Sequence, residues 1–101
     1  MARVEILPDA LQQIERAAAW WRDHRVAAPK LLSVELADAF ELLAEQPDAG
    51  RQVPRSRFHR LRVLLMPRTR YHLYYEHDPD AGVVLVRALW GAVRGRRPPL
   101  R

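Results

Sequence analysis

The residues best suited to chemistry in this chain are arginines and aromatic residues in its second half. They lie on predicted strands and in the C-terminal tail: Arg60, Arg62, Arg70, Tyr71, His72, Tyr74, Arg87, Arg94, Arg96 and Arg97. Arginines with interleaved aromatic rings can hold an RNA backbone and stack on its bases, and with a general acid or base they can cleave it. Alternatively, Tyr71 and Tyr75 pack in the core or across strands, and the arginines are solvated or pair with helix carboxylates.

Charge is divided unequally along the chain. Residues 1–50 contain five basic and nine acidic residues, a net charge of −4, whereas residues 51–101 contain twelve arginines and three carboxylates, a net charge of +9. Between Arg51 and Tyr75 there are seven arginines and no carboxylate. The field of these arginines must be met by solvent, by the acidic helices or by a partner. Arginine suits bidentate contacts with phosphate or carboxylate, but a GC-rich genome also favours it.

Other kinds of site are not indicated by the sequence. The histidines His24, His59, His72 and His77 lack the spacing of metal ligands, and there is no cysteine. The glycines form neither a P-loop nor a dinucleotide fingerprint, and Ser33 and Ser56 lack a nucleophile elbow. We therefore expect no metal and no cofactor.

The chain length and its apolar runs indicate a small cytoplasmic protein. The 101 residues are typical of one domain, so we expect a single domain over 1–101. No apolar run approaches the ~20 residues of a membrane helix, and the N-terminus lacks the apolar stretch of a signal peptide. We expect no contact with a membrane. The tail, residues 94–101, is rich in Arg, Gly and Pro and is expected to be flexible or ordered by a partner.

Periodicity predicts an α+β fold with the order β-α-α-β-β-β. The predicted elements are a strand at Arg3–Leu7, helices from Asp9 to about Arg25 and from Lys30 to Gln46, and strands beginning near Arg60, around Tyr71 to Tyr75 and at Val83–Trp90. Residues 48–56 are predicted to form a loop. The N-terminal strand and the α-hairpin are expected to pack on a small antiparallel sheet. The last strand is expected to be covered on both faces, and Trp20, Trp21 and Trp90 to lie in the core or a hydrophobic seam.

Four segments together resemble the RelE/ParE superfamily of toxins from bacterial type II toxin–antitoxin systems. They are VEILPDALQQIERAAAWW, LLAEQPDAGRQVP, RLRVLLMPRTRYHLYYEHD and VVLVRALWGAVRGRRPPL, which span nearly the whole chain. Each segment is a weak signal, but their order and spacing are specific. The most specific part is the Tyr-x-Leu-x-Tyr strand, followed by an acidic turn and a hydrophobic strand that leads to Arg and Pro.

The resemblance implies one of two activities. RelE-like toxins cleave mRNA in the ribosomal A site, which would give catalytic roles to Arg60, Arg62, His72 and Arg87. ParE-like toxins inhibit DNA gyrase. The chain is more similar to ParE-like members, because no tyrosine follows Tyr75 and the ending is Gly-Arg-Arg-Pro. A third alternative is an inactive module that only binds its antitoxin and DNA.

The resemblance also implies a partner. A cognate antitoxin would lay an acidic and apolar C-terminal segment against the sheet and helices. The residues expected to contact the target or the antitoxin are Arg70, Trp90, Arg94, Arg96 and Arg97. The target itself would be gyrase or, alternatively, the ribosome with its mRNA.

Overall fold

The computed structural model describes residues 1–58 and 60–91. The elements are β1 (Arg3–Ile6), α1 (Pro8–His24), α2 (Leu31–Glu45), β2 (Arg51–Gln52), β3 (Leu61–Met66), β4 (Tyr71–Asp78) and β5 (Val83–Gly91). The predicted α+β class and the order of the long elements are confirmed. The predictions for the tail, including Arg94, Arg96 and Arg97, lie outside the described residues.

Both helices follow from their apolar spacing and their ends. Pro8 occupies the first turn of α1, where its missing N–H costs nothing, and Asp9 lies in the same turn, where a negative charge suits the helix dipole. At the other end, the N–H of Arg25 donates to the carbonyl oxygen of Trp21. The buried residues of α2 recur at three- and four-residue spacing and place one side of the helix on the sheet: Leu32, Glu35, Leu36, Ala39 and Leu43.

The sheet contains five strands in the order β1-β5-β4-β3-β2. It is mixed and not the purely antiparallel sheet predicted, because β1 forms one edge of the sheet and pairs with β5 in parallel. β1 gives β5 the second neighbour that its nearly continuous apolar sequence requires. The two-residue strand β2 pairs with β3 within the segment predicted as a loop. Two residues are too few to show an alternating pattern in the sequence.

Alternating side chains of the sheet form an apolar cluster on each face. The helix face is the side covered by α1 and α2, and its buried cluster consists of Ala10, Trp21, Leu32, Leu36, Ala39, Leu43, Met66, Leu73, Tyr75, Val84, Val86 and Leu89. The opposite side, called the second face below, has a smaller cluster of Val53, Leu61, Val63, Tyr74 and Ala88, against which Phe58 and Trp90 pack. Apolar residues on both faces of β5 confirm the prediction that this strand is covered on both sides.

The three tryptophans do not share one environment. Trp21 is buried in the helix-face cluster, as predicted. The prediction for Trp20 is wrong, since its side chain is 42% exposed. Neighbouring residues of a helix point about 100° apart, so the helix buries only one of the two rings. Trp20 instead stacks on His24, with ring centroids 4.6 Å apart.

No helix of the described chain is both long and apolar enough to cross a membrane.

Candidate functional site

The second face carries several of the described residues that the sequence singled out. Leu65, His72 and Trp90 lie side by side on β3, β4 and β5, since Leu65 pairs with His72 and His72 with Trp90 in the strand register. His72 and Trp90 are partly exposed, and Leu65 is 42% exposed. This row ends the second face on the side of the β3–β4 turn.

A β-bulge in β5 brings Arg87 to the second face. Tyr75 pairs with Val86 and Tyr74 with Ala88, so Arg87 is the extra residue between them. Its guanidinium forms an ion pair with Glu76 and lies 4.0 Å from the centre of the Phe58 ring. Arg87 is therefore held by a carboxylate on one side and an aromatic ring on the other.

Arg60 lies at the opposite end of the second face from the Leu65–His72–Trp90 row. It precedes β3 and forms an ion pair with Asp78 at 3.8 Å. Both side chains are more than 40% exposed, so solvent screens this pair strongly. Two of the three carboxylates of the basic half, Asp78 and Glu76, thus pair with Arg60 and Arg87.

Arg62 lies on the helix face, where its side chain contacts the loop between α2 and β2. It pairs with Tyr75, which is buried in the helix-face cluster. Its guanidinium donates to the carbonyl oxygen of Gly50 at 2.7 Å and lies 3.5 Å from the carboxylate of Asp48. Arg62 therefore fixes the loop between α2 and β2.

Tyr75 and His77 hold the same loop. The N–H of Gly50 donates to the hydroxyl oxygen of Tyr75 at 2.8 Å, and the Nδ1 atom of His77 lies 3.1 Å from a carboxylate oxygen of Asp48. Burial raises the pKa of the Tyr75 phenol above its usual value, so the hydroxyl stays protonated. The predicted packing role of Tyr75 is confirmed, and it includes a hydrogen bond.

His72 is the titratable group of the second face that has a perturbed pKa. Burial, followed by the positive charges of Arg51 and Arg70, lowers its pKa below the usual value. The ring is therefore mostly neutral at pH 7. It lies edge-on to Tyr74, with centroids 6.2 Å apart.

Arg70 lies in the β3–β4 turn, whose backbone is hydrogen-bonded to Glu35 of α2. Its φ of +65° is in the left-handed region, and its N–H donates to the carbonyl oxygen of Met66 at 2.9 Å. The carboxylate of Glu35 accepts hydrogen bonds from the N–H groups of Arg68 and Thr69, both at 2.9 Å, and from the Thr69 hydroxyl at 2.6 Å.

The Glu35 carboxylate is stabilised in its charged form. Burial acts to raise its pKa, but the hydrogen bonds from Thr69 and Arg68, together with the charge of Arg68, outweigh burial, and the net pKa lies below the usual value. A buried carboxylate with three hydrogen-bond donors is a fixed anchor for the turn.

The predicted site residues are only partly brought together. His72, Arg87 and Trp90 lie on the second face, while Arg62 lies on the helix face. Sequence reasoning missed the roles of Glu35, Asp48 and Arg51. Only Glu35 left a signal, because it interrupts the apolar stripe of α2 between Leu32 and Leu36.

Within residues 1–58 and 60–91, the structure brings together no group of three or more histidine, aspartate or glutamate side chains that could hold a metal ion.

Residues 4–94 match the family described as the ParE toxin of the type II toxin–antitoxin system parDE. The chain belongs to the ParE toxin family. No individually curated protein matches it. As a ParE toxin of a type II system, it has a cognate antitoxin as its implied partner, and a role in plasmid stabilisation fits this family.

Proposed function

We propose that this ParE-family toxin acts in the cytoplasm by inhibiting DNA gyrase and is neutralised by its cognate antitoxin. The observation that carries the proposal is the family match over residues 4–94, nearly the whole chain. ParE-like toxins, as the sequence resemblance implied, stall gyrase on broken DNA and are not known as nucleases.

The arrangement of the candidate nuclease residues supports inhibition over RNA cleavage. Cleavage requires cations and an acid or base that converge on one phosphate. Arg62 lies across the sheet from His72, and its guanidinium is bonded to the α2–β2 loop. Arg87 is paired with Glu76. Both arginines would have to leave their partners, and Arg62 would have to cross the sheet, to reach a phosphate beside His72.

The charge of the second half supports an acidic antitoxin segment as the neutralising partner. Seven arginines and no carboxylate lie between Arg51 and Tyr75. Arg70 and Trp90 are the two described residues that we assign to this contact, together with Arg94, Arg96 and Arg97 of the tail. An acidic and apolar segment that folds on the toxin would cover cations that the target also needs. Antitoxin and gyrase would then compete for the toxin.

Gyrase assays with purified toxin test the proposal. We expect the toxin to reduce supercoiling and to increase the amount of covalent gyrase–DNA cleavage complex, and we expect the antitoxin to reverse both effects. A parallel assay adds the toxin to ribosomes translating a defined mRNA. Unchanged supercoiling and cleavage complex at large toxin excess would overturn the proposal.

The same experiments separate the alternatives. Cleaved mRNA on toxin-treated ribosomes, with gyrase unaffected, would favour a RelE-like endoribonuclease. Normal growth when the toxin is induced without its antitoxin would favour an inactive binding module. If co-expressed antitoxin neither co-purifies with the toxin nor restores growth, the proposed pairing is wrong.

A further inference from the structure

Two arginines at the β3–β4 end of the second face lack the carboxylate partners that Arg60 and Arg87 have. Near the β4–β5 turn Arg60 pairs with Asp78, and in the middle of β5 Arg87 pairs with Glu76. At the β3–β4 end, Arg51 and Arg70 have no carboxylate within ion-pair distance among the described residues. Arg51 lies on the second face, since it is directly opposite Val63 of the second-face cluster. Positive charge at the β3–β4 end is therefore left uncompensated by the carboxylates of the described residues.

The same end carries aromatic and apolar side chains that are at least partly exposed. Leu65, His72 and Trp90 form a row across three adjacent strands. Neighbouring strands lie about 4.8 Å apart, so the row is roughly 10 Å long. Bases of a nucleic-acid strand repeat about every 3.4 Å, so the row offers room for two or three of them. Aromatic rings beside arginines are the usual platform for such bases.

The geometry of this end is fixed from inside the protein. Three hydrogen bonds from the β3–β4 turn converge on the Glu35 carboxylate. The turn also keeps Arg70 in a left-handed conformation, which is strained for a residue other than glycine. The hydrogen bonds to the buried Glu35 carboxylate thus hold Arg70 next to the row before any ligand binds. This lowers the conformational entropy that binding would cost.

We propose that this end of the second face, formed by Arg51, Leu65, Arg70, His72 and Trp90, binds single-stranded nucleic acid. Arg51 and Arg70 contact phosphates, and the Trp90 and His72 rings stack on bases. The binding can be measured on the toxin alone. Its role in holding unpaired DNA in a gyrase complex rests on the proposed function, so the two can fail separately.

An acidic peptide is the competing ligand, and the row favours nucleic acid over it. A peptide needs only the cations and the apolar surface of Leu65. Nucleic acid also uses the flat faces of Trp90 and His72, because every base can stack on an aromatic ring. His72 is mostly neutral at pH 7, so the arginines supply the charge and the ring supplies a surface.

Fluorescence anisotropy with a labelled single-stranded DNA of mixed sequence tests this proposal on the full chain. We expect Arg51→Gln/Arg70→Gln to weaken binding about tenfold or more, because two charged contacts are lost. The slope of log affinity against log salt concentration should become shallower by about 1.4, at ~0.7 for each contact. Trp90→Leu, which keeps an apolar side chain, should weaken binding about fivefold or more through lost stacking.

The matched control is Arg16→Gln/Arg22→Gln, which removes the same charge from the exposed surface of α1. This control should bind within about twofold of the wild type if the site is local. The proposal would be overturned if both double variants lost the same DNA affinity, or if Arg51→Gln/Arg70→Gln lost none. It would also be overturned if polyglutamate of equal charge bound the toxin as tightly as the DNA does. Circular dichroism checks that each variant is folded. If Trp90→Leu is unfolded, the DNA affinity of Arg51→Gln/Arg70→Gln decides the outcome.

Discussion

The two faces of the sheet use polar groups differently. On the helix face, Tyr75, Arg62 and Glu35 hold loops and a turn through short hydrogen bonds. On the second face, Arg60 and Arg87 form ion pairs, while Arg51 and Arg70 have no carboxylate partner among the described residues. The comparison indicates that polar groups of the helix face maintain the fold, whereas those at the β3–β4 end of the second face are available for binding. Substitutions should therefore separate stability from activity according to the face they change.

The largest effect on stability is expected for Gly50→Ala. A Cβ atom there would lie 2.7 Å from the carbonyl oxygen of Val63 and 2.8 Å from the Tyr75 hydroxyl. Overpacking and a disturbed Gly50–Tyr75 hydrogen bond should lower the free energy of unfolding by about 3 kcal/mol or more, measured by chemical denaturation.

Gly82→Ala is the matched control for Gly50→Ala. Gly82 has a φ of +66° and nothing within 4 Å of the added Cβ. Its substitution should cost only about 1 kcal/mol, the conformational penalty of a left-handed residue. Equal costs for the two alanine variants would contradict the steric explanation.

Glu35→Gln should have the next largest effect, of about 2 kcal/mol at pH 7, because a charged acceptor of three hydrogen bonds is lost. The folded-state pKa of Glu35 lies below its usual value of 4.5. The carboxylate therefore stabilises the fold above that pH, and its contribution is lost as the pH falls through the folded-state pKa.

Denaturation of wild type and Glu35→Gln across the acid range tests this sign. The difference in unfolding free energy between the two proteins should shrink below pH 4.5. Glu41→Gln, an exposed substitution on the same helix, should show no such convergence. A difference that stays constant with pH would show that Glu35 does not act through its charge.

Arg87→Gln should have an intermediate effect that is confined to the second face. It leaves Glu76 without its cation and removes the contact with the Phe58 ring. We expect a loss of about 1–2 kcal/mol in unfolding free energy. The loss of unfolding free energy in Glu76→Gln/Arg87→Gln should be smaller than the sum of the losses in Glu76→Gln and Arg87→Gln. Additive losses would mean that the two side chains are not coupled.

The smallest effect is expected for Arg60→Gln. The ion pair with Asp78 spans 3.8 Å between exposed side chains, and such pairs contribute roughly 0–1 kcal/mol. Thermal unfolding should be nearly unchanged. A large loss of stability would show that the β4–β5 end of the second face has a structural role that the comparison does not give it.

The sequence was sufficient for the long elements and insufficient for the contacts between them. Both helices lie within one residue of their predicted ends, because Pro8 and the three- and four-residue apolar spacing act locally. The parallel pairing of β1 with β5 could not be predicted, since it joins residues about 80 positions apart and no local pattern encodes it.

The site was predictable in residue type and not in orientation. Alternation along β3 separates Arg62 from Leu61 and Val63, but it does not say which face the helices cover. The bulge at Arg87 reverses the alternation of β5, which no pattern in VVLVRALWG indicates. The hydrogen bonds of Glu35 connect α2 to a turn more than 30 residues later, so only its position on an apolar stripe was visible.

The most direct test of the account is the amount of covalent gyrase–DNA cleavage complex formed with equal concentrations of toxin variants. Wild type and the Arg16→Gln/Arg22→Gln control should increase this complex to the same extent, whereas Arg51→Gln/Arg70→Gln should increase it several-fold less while remaining as stable as the wild type. If the wild type leaves the complex unchanged, or if Arg51→Gln/Arg70→Gln is as active as the wild type, the account is contradicted.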